Sequence, residues 1–130
     1  MNRFVLIDDD ELINYIHRQV IYSVAPDADI VEKTSSSEAF EYLKVLSSNK
    51  NPDDRYFIFI DINMPEVNGF ELLEKIGPMI PQEKACAFFV VSSSLFSSDR
   101  EKAFSFPFVS GYREKPLSKQ DIREILQQPM

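Results

Sequence analysis

The sequence predicts a single α/β domain built on a parallel sheet with helices covering both faces. Three observations carry that expectation. Short unbroken apolar runs alternate with segments of helical period from end to end, which implies βαβ crossovers. The most apolar runs lack the in-out alternation of half-exposed strands, as befits strands buried on both sides. Polar residues with chemical uses stand at the ends of four of the five runs. A chain of 130 residues suits one domain, able to bury roughly two-thirds of its unfolded surface.

Phe4 to Ile7 is the first strand, and Asp10 to about Val24 the first helix, with Leu12, Ile13, Ile16 and Val20 at helical spacing. Ala28 to Lys33 is less hydrophobic and suits a sheet edge. Ser35-Ser36-Ser37-Glu38 offers a capping box before a helix over Ala39 to Leu46. Asn49 to Arg55 is polar, holds a proline, and reads as a loop. Tyr56 to Ile60 is the third strand, apolar throughout and therefore central. Gly69 to Ile76 follows as a helix and Ala85 to Val91 as the fourth strand. Ser92 to Ser98 is too polar and small to pack as a core element. Ser98-Asp99-Arg100-Glu101 offers a second capping box for a short helix. Phe108 to Glu114 is the fifth strand, and Ser118 to Gln128 the last helix. No repeat or linker marks a second domain, so residues 1–130 read as one unit.

Composition excludes several function classes. The formal charge of −7 opposes unaided binding to a nucleic-acid backbone, though not to a basic protein. No run approaches the ~18 apolar residues of a membrane helix, and the N-terminal run stops at Asp8 with no cleavage-site pattern. A cytoplasmic protein that contacts neither nucleic acid nor membrane is expected. Cys86 has no intrachain partner for a disulfide and reads as a small core residue.

In parallel α/β sheets, ligands bind beyond the carboxyl ends of the strands, where the strand order reverses. Asp8, Asp9 and Asp10 follow the first strand, Asp61 the third, Ser92 the fourth, and Lys115 stands near the end of the fifth. Gathered carboxylates repel, and a hard divalent cation with oxygen ligands offsets that repulsion. A carboxylate also accepts phosphoryl groups as an acyl phosphate, whose oxygens need neutralising charge. Mg²⁺, Lys115 and the Ser92 hydroxyl supply it in this reading.

Each residue alone has a plainer role. Asp10, or Asp9, caps the first helix; Asp61 begins a turn; Ser92 is a loop serine; Lys115 is a solvated lysine. Their joint occurrence at strand ends favours a shared site. Phe104, Phe106 and Phe108 form either a docking patch or partly buried core. His17, the only histidine, reads as a partly exposed structural residue of the first helix.

With these residues placed, the chain resembles the receiver domains of bacterial two-component response regulators over essentially its whole length. Leu6-Ile7-Asp8-Asp9-Asp10 is similar to the family's acidic pair after strand one, and Phe59-Ile60-Asp61-Ile62-Asn63-Met64-Pro65-Glu66-Val67-Asn68-Gly69 to its phosphoacceptor strand and turn. Val90-Val91-Ser92-Ser93 resembles the hydroxyl residue followed by a small one, and Gly111-Tyr112-Arg113-Glu114-Lys115-Pro116 the switch aromatic and Lys-Pro pair.

The resemblance implies a flavodoxin-like, doubly wound sheet of order 2-1-3-4-5 with five helices. It implies Asp61 as nucleophile toward a phosphohistidine of a histidine kinase or histidine phosphotransfer protein. Mg²⁺, with Mn²⁺ as a possible substitute, is then held by Asp9 directly, Asp8 through a water, Asp61, and the backbone carbonyl of Asn63. Lys115, on a cis Lys115–Pro116 bond, contacts the phosphoryl group. Ser92 and Tyr112 form the switch, coupled to an output face of helix four, strand five and helix five. Asn63 and Ser94 tune phosphoryl lifetime.

Two departures stand out. Serine replaces the usual threonine at 92, and Ala103 to Val109 lacks the usual Gly-Ala pair, so Pro107 shortens or kinks helix four. Nothing after Gln128 suggests an output domain, so action through protein contacts is expected. A haloacid-dehalogenase-type phosphatase needs an acid two residues beyond the nucleophile, where this chain has Asn63. A phosphorylation-independent interaction domain is disfavoured because the acidic and lysine positions are all retained.

Overall fold

The computed structural model describes residues 2–48, 54–80, 86–93 and 96–127. Strands β1 (Asn2–Ile7), β2 (Asp29–Lys33), β3 (Arg55–Asp61), β4 (Cys86–Ser92) and β5 (Val109–Glu114) alternate with helices α1 (Glu11–Val24), α2 (Ser36–Leu46), α3 (Gly69–Ile76), α4 (Ser97–Phe104) and α5 (Lys119–Gln127). All neighbouring strands pair in parallel. The order is β2-β1-β3-β4-β5, as expected.

Strand alternation divides the core in two. Val5, Ile7, Tyr56, Ile58, Ile60 and Val90 face α2, α3 and α4 with Leu43, Leu73 and Ala103. Phe4, Leu6, Phe57, Phe59, Phe89 and Val91 face the other way, with Ile21, Ile122 and Ile125 of α1 and α5. On that second face Phe4 stacks on Phe57 at 5.0 Å and Phe59 on Phe89 at 5.5 Å between ring centroids. Phe59→Ala removes a middle ring of this aromatic row, between Phe4 and Phe89, and a loss of about 4 kcal/mol in urea unfolding is expected.

Caps set the helix starts. Asp10 Oδ1 accepts from the N–H groups of Leu12 and Ile13 at 2.9 and 3.3 Å, so Asp10 is spent as the cap of α1. Ser35 Oγ accepts from Glu38 N. At α5, Ser118 and Asp121 cap reciprocally, Ser118 Oγ accepting from Asp121 N and Asp121 Oδ2 from Ser118 N. The box expected at Ser98 does not form. Phe96 is the N-cap residue of α4 and no side chain caps it. The chain enters the helix two residues early, placing Ser98 inside the first turn.

Other differences are local. β2 begins at Asp29 and β5 at Val109, each one residue late, because Ala28 N and Val109 N close turns onto Ala25 O and Phe106 O. A 3₁₀ turn over Gly77–Met79 extends α3. Helix α4 is short, as Pro107 suggested. Cys86 is half-buried against the core. Phe106 and Phe108 pack against it too, Phe106 on Phe70 and Phe108 on Phe88, whereas Phe104 is exposed under Arg100. Of the loop read over Asn49 to Arg55, residues 49–53 lie outside the described residues, as do Ala85 and Gln128, and Arg55 opens β3 instead.

Candidate functional site

The sheet order reverses between β1 and β3, opening a crevice at their carboxyl ends. Ile7 pairs with Ile60, so the next residues, Asp8 and Asp61, stand side by side. Asp61 ends β3 beside Val91, and Ser92 ends β4 beside Glu114. The N–H of Lys115 then donates to Ser92 O at 3.0 Å. Four strand ends thus deliver their polar residues to one rim.

Carboxylate oxygens of Asp8, Asp9 and Asp61 lie within 4.8 Å of one another. Asp8 and Asp61 are buried and Asp9 is exposed. The Lys115 ammonium bridges the buried pair, against Asp8 Oδ2 and 3.3 Å from Asp61 Oδ1. Three carboxylates against one ammonium leave two negative charges, which a divalent cation matches. The donors are all oxygens, as a hard cation requires, so the cluster fits Mg²⁺.

Backbone groups orient both buried acids. Asp10 N donates to Asp8 Oδ1 at 2.9 Å and Asn63 N to Asp61 Oδ1 at 3.1 Å. Burial pushes the Asp61 carboxyl above its ordinary range, against the pull of the Asn63 N–H and Lys115, while the charge of Asp8 adds to the rise. Burial disfavours the Lys115 charge, but its two carboxylate partners outweigh it and hold the ammonium above its ordinary value. The site keeps Lys115 charged and Asp61 basic.

The turn between β3 and α3 is tight. Gly69 N donates to Ile62 O at 3.2 Å, pressing the start of α3 against the carbonyl of Asp61. Glu66 takes a positive φ of 68° within this turn. Asn63 is exposed at its start. Ser92 is fully buried. Tyr112 lies half-buried on β5 against the α4 side of the core, with Arg100 over its ring at 6.0 Å. Ser94 lies outside the described residues. The Lys115–Pro116 bond is cis, as the resemblance implied.

Sequence reasoning missed one layer of this site. His17 is buried, not partly exposed, and its Nε2 accepts from Leu117 N at 3.0 Å. Asn14 is also buried, and its Nδ2 donates to Asp8 O at 2.9 Å. Both sit with Ile21 on the buried line of α1. The available signal was spacing, since Asn14 and His17 share one face of the first helix with Ile21.

Burial lowers His17 to about 4, with Lys115 adding to the fall and Asp8 and Asp121 opposing it. The folded ring therefore stays neutral where the unfolded ring takes a proton near 6.5. Stability from this group is present above pH 6.5 and lost as pH falls toward 4, by about 3 kcal/mol at 1.36 kcal/mol per unit. In metal-free urea titrations, His17→Gln is expected to show a shallower acid loss across that window.

A family model, the response regulator receiver domain, matches residues 4–127. Among solved structures, a response regulator receiver protein from Dyadobacter fermentans superposes with a TM-score of 0.81 at 25% identity, covering 98% of this chain and 96% of that one. A two-component response regulator from Cytophaga hutchinsonii gives 0.80 at 28% identity, covering 97% and 94%. The nitrate/nitrite response regulator protein NarL of Escherichia coli K12 is 29% identical over 95% of this chain. The match spans 52% of the length of NarL. By the match over nearly its whole length, the chain belongs to the response regulator receiver domain family.

Proposed function

We propose that this receiver takes a phosphoryl group onto Asp61 in a Mg²⁺-dependent reaction, from a phosphohistidine of a histidine kinase or histidine phosphotransfer protein. The observation that carries this reading is the cluster of Asp8, Asp9 and Asp61 bridged by Lys115. An Asp61 carboxylate oxygen attacks phosphorus in line; the new P–O bond forms as the P–N bond to the donor imidazole breaks, and that imidazole leaves with the electron pair. Asp8, Asp9, Asp61 and the Asn63 carbonyl would hold Mg²⁺ or Mn²⁺. The bound metal neutralises charge on the phosphoryl oxygens.

Lys115 supplies a second positive charge to those oxygens, released in part from Asp61 as that carboxylate loses its charge in the mixed anhydride. Ser92 donates its hydroxyl to a phosphoryl oxygen, and Tyr112 follows by repacking against the core. The surface of α4, β5 and α5 then presents an altered face to a downstream protein. The net charge of −7 disfavours direct nucleic-acid contact. Among the described residues no helix is long and apolar enough to cross a membrane, and we place the reaction in the cytoplasm. Asn63 carries no acid to drive hydrolysis, which separates this chemistry from an aspartate-nucleophile phosphatase.

Incubation with Mg²⁺ and a small acyl phosphate is expected to add one phosphoryl group, roughly 80 Da, as an acid-stable, base-labile adduct. Excess EDTA is expected to suppress it by at least about tenfold. An adduct formed equally well in EDTA contradicts the metal requirement.

A further inference from the structure

Lys115 has a long flexible stem, so where its ammonium rests depends on how its backbone is held. Two N–H groups flank Pro116, which has none of its own. The first, Lys115 N, donates to Ser92 O at 3.0 Å. The second, Leu117 N, donates to His17 Nε2 at 3.0 Å, across 100 residues of sequence. Leu117 is 2% exposed, so without His17 this N–H is buried away from water and unpaired. The carbonyls inside α1 are committed to the helix ladder. Only a side-chain acceptor can anchor the loop to this helix, and the neutral imidazole provides one.

The same stretch of α1 holds the other side of the site, one turn earlier. Asn14 Nδ2 donates to Asp8 O, so residues three apart on one helix grip the acidic loop and the lysine loop together. Asn14 and His17 line a cavity of about 10 Å³ shared with Asp8 and Asp61, room for about one water. Asn14 Oδ1 is buried and without a partner among the described residues.

We propose that His17 is a positioning residue for phosphoryl acceptance. Its bond to the Leu117 amide fixes the loop between β5 and α5 and thereby places the Lys115 ammonium between Asp8 and Asp61. This rests on the reading of Asp61 as phosphoacceptor. His17 touches no reacting atom; it acts through Lys115.

The test is a double-mutant cycle read as the rate of adduct formation with acyl phosphate and Mg²⁺. His17→Leu is expected to slow the reaction about tenfold without weakening Mg²⁺ binding by calorimetry. His17→Gln, whose amide reaches the same point as Nε2, is expected to recover the rate to within about threefold of wild type. In a Lys115→Ala background, His17→Leu is expected to slow the reaction no further. If His17→Leu does not fold, His17→Asn, whose amide falls short of Leu117, replaces it in the cycle.

In wild type, NMR is expected to show scalar coupling between the Leu117 amide nitrogen and His17 Nε2. Absence of that coupling overturns the proposal, as does a wild-type rate in the shortened variant. An equal loss with and without Lys115 also overturns it, by showing a role that bypasses Lys115. A wild type that takes no phosphoryl group at all overturns the reading of Asp61, and this proposal with it. A phosphorylated wild type with an insensitive His17 overturns this proposal alone.

Discussion

Lys115→Ala is expected to slow phosphoryl acceptance from an acyl phosphate by about a hundredfold, the usual loss when one preorganised charge is removed from a transition state. The ammonium already lies against Asp8 and 3.3 Å from Asp61, so it stands where the incoming group's charge gathers. Its removal has two further consequences. Asp8 and Asp61 lose their shared counter-charge inside a buried site, which costs about 3 kcal/mol without metal. The same loss raises the Asp61 carboxyl further, because Lys115 is one of the groups pulling it down. Mg²⁺ then binds more tightly, since no cation competes for the carboxylates. A slower reaction together with a lower Mg²⁺ Kd, measured by stopped-flow and calorimetry, identifies Lys115 as acting on the phosphoryl group. A rate within about twofold of wild type would remove it from the chemistry.

Gly69→Ala is expected to cost about 3 kcal/mol and to slow phosphorylation as well, for a steric reason. A Cβ at Gly69 meets the carbonyl oxygen of Asp61 at 2.4 Å and the Cα of Ile62 at 2.8 Å. Both are backbone atoms, so neither swings aside as a flexible side chain would. Relief requires the first turn of α3 to lift from the end of β3, stretching the bond from Gly69 N to Ile62 O. Overpacking typically costs about 1–3 kcal/mol, and rigid neighbours put this substitution at the upper end. Thermal unfolding is expected to fall by about 10 °C. Because the strain is applied at Asp61 itself, the folded variant is also expected to accept phosphoryl groups more slowly. A stability loss under about 1 kcal/mol would show that the turn relaxes freely.

How much of this was legible in the residues differs by element. The strand ends were readable because apolar runs are short and stop at charged residues, which places Asp8 and Asp61 at the crevice from the sequence pattern alone. Strand order was not readable from periodicity and came with the family resemblance, which the parallel register of all five strands bears out. The start of α4 failed because Ser97, Ser98 and Asp99 offer similar capping chemistry, and the backbone path left the cap to Phe96. Asn14 and His17 escaped because a hydrophobic stripe counts apolar residues. A polar group inside that stripe is explained only by its partner, and the partner of His17 lies in a loop 100 residues away. Local pattern carries no information at that range.

The central claim is that Asp61 carries the phosphoryl group. The most direct measurement is peptide mapping of the adduct after incubation with Mg²⁺ and acyl phosphate, with the acyl phosphate trapped by borohydride reduction. Wild type is expected to place the modification on Asp61 alone, and Asp61→Asn to acquire none while keeping its fold by far-UV circular dichroism. Modification of Asp8 or Asp9, or an undiminished adduct in Asp61→Asn, would contradict the assignment.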